Sequence, residues 1–80
     1  MLDSLQQENK AIGIKQTNKA LNQDKVKILY LAQDADTHLV ERLVDIANKK
    51  NIEIIYVDSM KKLGKACGID VSAAAAATLK

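Results

Sequence analysis

Eighty residues with a net charge of +2, two tyrosines, no proline and one cysteine allow one domain over residues 1–80 with a small core. They exclude an internal disulfide framework, and Cys, His and carboxylates show no metal-ligand spacing. No secretory leader pattern or apolar run of membrane-spanning length is present, so a reducing cytoplasmic setting and no membrane partner are expected.

The elements follow in chain order. Residues 2–9 suit a short helix capped by Asp3 or Ser4, with Leu2 and Leu5 as its apolar contacts. Ala11-Ile12-Gly13 is an apolar break, and a helix is expected over residues 16–23 with Ala20 and Leu21 turned inward. Asn22–Lys25 is a polar turn. Val26–Ala32 is almost continuously apolar and β-branched, as a central strand covered on both faces would be. Asp34 and Asp36 offer caps for a long helix. Leu39, Val40, Leu43, Val44, Ile46 and Ala47 give that helix one broad apolar stripe, and Asn51 closes it. Ile52–Val57 is expected to be a second buried strand. Asp58-Ser59 caps a helix over residues 59–67, stopped by Gly68. The run Val71–Leu79 is ambiguous: alanine favours helix intrinsically, but small side chains also suit a strand pressed between covering helices. The strand is taken. The expected fold is α/β, a three-layer α-β-α sandwich around a small mixed sheet.

Charge is unevenly spread. Lys10, Lys15, Lys19, Lys25 and Lys27 crowd the first third, and Lys61, Lys62 and Lys65 form a second group, while Asp34, Asp36, Glu41, Asp45 and Glu53 occupy the middle. If the two groups meet, they make a basic edge that attracts polyanions. The first group is physically odd. A helix start carries partial positive charge and unpaired N–H groups and favours acids, yet here it bears Lys15 and Lys19. That conflict suits an anionic partner.

Enzyme readings fare poorly. His38 is the only histidine and has no nucleophile at a recognised spacing; a surface histidine explains it better. Cys67 falls on an apolar helix face, as an inert thiol does. Gly64-Lys65 lacks the rest of a phosphate-binding loop. Lys15, Gln16, Asn18 and Lys19 place cations for phosphates and amides for base edges on one helical turn. Ile69-Asp70-Val71 follows a glycine, and its aliphatics suit packing on an unstacked base. From composition alone, lysines that merely solvate a surface are an equally good reading. Scarce aromatics disfavour single-strand stacking platforms and favour structured RNA. DNA is not expected.

At these segments the chain resembles the kink-turn RNA-binding ribosomal proteins of the L-seven-Ae and L-thirty-e type, over nearly its whole length. The matching motifs are Gly13-Ile-Lys-Gln-Thr-Asn-Lys19, Lys62-Leu-Gly-Lys-Ala-Cys-Gly-Ile-Asp-Val-Ser-Ala-Ala-Ala75, and Asp34-Ala-Asp36. The resemblance implies an α-β-α sandwich that binds helix–bulge–helix RNA with tandem sheared G·A pairs. It implies that Lys15 and Gln16 meet the guanines, that Lys19 meets backbone and base, and that Gly13 and Thr17 form the turn and helix start. It also implies that Ile69, Asp70 and Val71 cover the bulged nucleotides. Lys61, Lys62 and Lys65 are expected to hold flanking phosphates. Lys15 and Gln16 stand where archaeal and eukaryotic members have Asn and Glu, a form that looks like bacterial members. The expected partner is a kink-turn, in ribosomal or riboswitch RNA; the expected state is a monomer with no cofactor. The alternative is a ribosome-associated protein-interaction or assembly module, using the same edge or the long apolar stripe.

Overall fold

The structure, a computed structural model, describes residues 9–80. Among these, the chain forms strands β1 (Lys10–Ile12), β2 (Val26–Ala32), β3 (Glu53–Val57) and β4 (Ala75–Leu79). It also forms helices α1 (Ile14–Asn22), α2 (Thr37–Lys49) and α3 (Met60–Ala66). The helix expected over residues 2–9 lies outside the described residues except for Asn9, whose carbonyl accepts from Leu79 N at 2.9 Å.

The sheet is mixed, in the order β1-β4-β2-β3. β4 runs antiparallel to both β1 and β2, while β3 is parallel to β2. Side chains alternate across a strand, and the two central strands supply two cores. Leu29 and Leu31 of β2 and Ala75 and Ala77 of β4 pack beneath α1 and α2 with Ala20, Leu21, Leu43 and Ala47. On the other face Tyr30, Ala32 and Ala76 pack with Leu63 of α3 and Cys67 at its end. This is the expected three-layer sandwich. Ala75, Ala76 and Ala77 are fully buried. Tertiary context overrides alanine's helix propensity, because a strand between two covering layers admits small side chains at close approach.

Four expectations are corrected. Ala11-Ile12 is not a break but the end of β1, an edge strand with Ile12 opposite Ala76. α1 therefore starts at Ile14, two residues early, directly from the glycine. β3 is also an edge strand, paired on one side only, so it is not buried throughout; Tyr56 is 54% exposed. Leu39 is 52% exposed and leaves the α2 stripe, which Leu43 and Ala47 carry inward.

The caps show how local sequence fixes element ends. Asp36 Oδ1 accepts from His38 N at 2.9 Å and starts α2. Asp34, the other expected cap, serves α3 instead: its Oδ1 accepts from Met60 N at 2.7 Å, joining the β2–α2 loop to that helix. Ser59 Oγ accepts from Lys62 N at 3.1 Å on the same helix. Asn51 beyond α2 and Gly68 beyond α3 take left-handed angles, φ 56° and 80°. At the far end of the α1–α2 pair, Lys50 Nζ donates to Leu21 O at 2.7 Å and to Asp24 Oδ1 at 2.6 Å. That hydrogen bond, then the ammonium charge, holds the Asp24 carboxyl below its ordinary value of 3.8. A depressed folded-state pKa stabilises above the unfolded value and ceases to as pH falls through the folded one; for so exposed a pair the contribution is small.

Candidate nucleic-acid interface

β1 ends and β4 begins at the same edge of the sheet, so the start of α1 and the α3–β4 loop are delivered together. Gly13 N donates to Ala75 O at 2.8 Å, and Ala32 N donates to Ala74 O at 3.0 Å. From the opposite face, α3 holds the loop: Ala73 N donates to Met60 O at 3.0 Å and Ile69 N to Gly64 O at 3.1 Å. Gly64 is buried, and a Cβ there would overlap the Val71 carbonyl oxygen. The helix can approach the loop backbone only because this residue lacks a side chain.

α1 opens without help from its own sequence. Gly13 sits at φ 95°, ψ 159°, a region essentially restricted to glycine. No side chain caps the helix and no acid stands in its first turn. Its first N–H groups and the exposed side chains of Lys15 and Gln16 share one end. Lys19 is exposed one turn on, but it lies in the last turn of α1, where a cation suits the dipole, so of the two lysines expected at the helix start only Lys15 stands there. Beside them runs a groove of about 440 Å³ between α1 and the β1 edge, lined by Gln16, Lys19, Lys10 and Lys25 among others. Sequence reasoning noted Lys10 and Lys25 only as part of a charge cluster; the antiparallel β1–β4 pairing that places them beside α1 has no local signal.

Not every expected residue faces this surface. Thr17 is fully buried, and its N–H closes the first helical bond to Gly13 O at 3.0 Å, so it forms the helix start and does not face this surface. Val71 is 70% exposed and Asp70 is exposed, but Ile69 is half-buried against the α3-side core. The three α3 lysines divide. Lys62 Nζ is paired with Asp58 Oδ2 at 3.0 Å, so it is not a free cation, whereas Lys61 and Lys65 are exposed and make no ion pair among the described residues. All three sit on the helix that braces the loop, across the sheet from α1.

Cys67 is buried, and desolvation pushes its thiol above the ordinary value, opposed by Lys10. A thiol in that state is a poor nucleophile. His38 is exposed. No group of three or more metal-ligating side chains occurs among the described residues.

The domain is a three-layer sandwich with an uncapped helix start joined to a short braced loop. The chain belongs to the ribosomal protein L7Ae/L30e/S12e/Gadd45 family, whose profile matches residues 2–80. It is 54% identical over 68 residues to an RNA-binding protein of Bacillus pumilus, covering 85% of this chain and 83% of that one. It is 48% identical over 69 residues to the RNA-binding protein YbxF of Geobacillus stearothermophilus, covering 86% and 84%. Among solved structures, the Giardia lamblia 15.5kD RNA binding protein superposes with a TM-score of 0.88 at 25% identity, covering 99% of this chain and 70% of that one.

Proposed function

We propose that this protein is a non-catalytic RNA-binding protein that recognises kink-turn RNA and stabilises its bent state. The observation that carries the reading is the Gly13 N to Ala75 O hydrogen bond, 2.8 Å, which ties the α1 start to the residue where the α3–β4 loop enters β4. Family membership and the names of the relatives support RNA as the ligand. The surface suits a sharply bent target. Lys15 and Lys19 offer cations to phosphates, and the Gln16 amide both accepts and donates, so it can meet the edge of a sheared G·A pair. Val71 offers an aliphatic surface to a base the bend has unstacked. Asp70, which only accepts, is suited to base amino groups and unsuited to phosphate.

A protein that binds the kinked state better than the extended state shifts the population toward it. It acts in this reading as a cytoplasmic monomer on ribosomal or riboswitch RNA. The alternative is a protein-interaction module using the same edge; of the α2 stripe it could also use, Leu43 and Ala47 are core and Leu39 is exposed.

A gel-shift titration with a kink-turn RNA, and with the same RNA carrying Watson–Crick pairs in place of the tandem G·A pairs, tests the reading. The kink-turn is expected to bind at least about tenfold tighter, the worth of one well-placed base contact. Equal affinity for the two would reject it.

A further inference from the structure

The second flank of α1 is unaccounted for by that surface. Between α1 and the first two turns of α2 lies a cleft of about 380 Å³. Lys15 and Asn18 line it from α1, one turn apart, and His38 and Arg42 line it from α2 at helical i, i+4 spacing. Ile14, Leu39 and Leu43 supply its apolar parts, and no carboxylate lines it. Lys15 and Arg42 are exposed, and among the described residues neither makes an ion pair or side-chain hydrogen bond. The Asn18 Oδ1 atom is buried and has no hydrogen-bond partner.

A concave site with two cations, an imidazole and no acid is built for an anion, while the buried Asn18 Oδ1, which only accepts, suits a ribose hydroxyl and not a phosphate. Lys15 belongs both to this cleft and to the α1 start, so the anion it takes is continuous with whatever the α1 start reads. We infer that the α1–α2 cleft is a second RNA contact, in which Arg42, with Lys15 and His38, holds a backbone phosphate of the stem adjoining the G·A pairs. This rests on the RNA-binding reading and widens the footprint from the first turn of α1 to α2. Arg is suited to the role, because its planar fork can grip a phosphate with two parallel N–H bonds. The apolar side of the cleft, including half-exposed Leu39, leaves room for the sugar.

The test compares wild type, Arg42→Gln and Arg42→Lys on the kink-turn RNA and on its Watson–Crick counterpart, over a range of salt concentrations. Thermal melts establish that each variant is folded. A phosphate contact carries no sequence information, so Arg42→Gln should weaken both RNAs by the same factor, about fivefold at moderate salt. It should also flatten the slope of log affinity against log salt by about 0.9. Arg42→Lys should keep the slope. Affinity within twofold of wild type with an unchanged slope on both RNAs would overturn the inference. Loss confined to the kink-turn RNA would overturn it too, since that is base readout. The kink-turn reading fails separately: a wild type that does not distinguish the RNAs, while Arg42→Gln still flattens the slope, rejects that reading and leaves the cleft assignment standing.

Discussion

Gly64→Ala is expected to lower stability by about 2–4 kcal/mol, and to abolish tight RNA binding even at temperatures where the variant remains folded. Two effects of opposite sign compete. In a helix interior, alanine is favoured over glycine by about 1 kcal/mol. Against this, the added Cβ would overlap the Val71 carbonyl oxygen and lie 3.0 Å from Ser72 Cα and from the Val71 carbonyl carbon. All three atoms are backbone, so no rotamer change relieves the contact, and overpacking of this kind costs about 1–3 kcal/mol or more. Relief requires the loop to move away from α3, which breaks the Ala73 N–Met60 O and Ile69 N–Gly64 O bonds at 3.0 and 3.1 Å. The steric effect wins. A melting temperature lower by about 10–25 °C follows from the usual 4–8 °C per kcal/mol in a domain of this size. Because the same loop carries Asp70 and Val71, affinity falls as well. Gly68→Ala is a useful contrast: nothing lies near its Cβ, and only the φ of 80° is strained, so it costs less. A Gly64→Ala variant as stable as wild type would contradict the close approach.

Gln16→Ala is the second large effect, and it falls on recognition and not on stability. Gln16 is exposed in the first turn of α1, and its side chain makes no hydrogen bond among the described residues. Its truncation leaves no buried group unsatisfied, so the melting temperature should stay within a degree or two, as surface substitutions within ±0.5 kcal/mol do. A bidentate base contact is worth about 1–3 kcal/mol of discrimination, so kink-turn affinity should fall about 10- to 100-fold. Affinity for plain duplex, held by lysines and phosphates, should change less than about twofold. Gln16→Glu is the informative partner. A carboxylate can make the stronger, charge-assisted bond to a guanine donor, so this variant should keep the preference for the kink-turn. Equal losses on both RNAs with Gln16→Ala would mean that the residue does not read bases.

The sequence disclosed the fold where side-chain patterning is dense. The apolar run of β2 and the α2 stripe at Leu43 and Ala47 announced their own burial. The glycine and asparagine stops announced the helix ends. It was silent where pairing partners are distant. β1 has only three residues and owes its existence to β4, so Ala11-Ile12 carries no strand period of its own. β3 is as apolar as a central strand, and only the sheet order puts it at the edge. For the site, Lys15 at an uncapped helix start was legible, because it violates a local rule; Lys19 violates none, since it lies in the last turn of α1, where a cation suits the dipole. The inward turn of Thr17, the Lys62–Asp58 pair and the half-burial of Ile69 were not, because each depends on what lies across from the residue. Arg42 drew no attention in the sequence for the same reason: its significance comes from Lys15, which the fold sets beside it.

The central claim is that the α1 start and the α3–β4 loop act as one surface. The most direct test is an amide chemical-shift titration of the labelled protein with a kink-turn RNA. Shifts or line broadening should concentrate jointly in residues 13–19 and 68–72 and spare the far ends of α1 and α2 around Asp24 and Lys50. Perturbations centred on that far end, or on the exposed edge of β3 with residues 13–19 unchanged, would contradict the account.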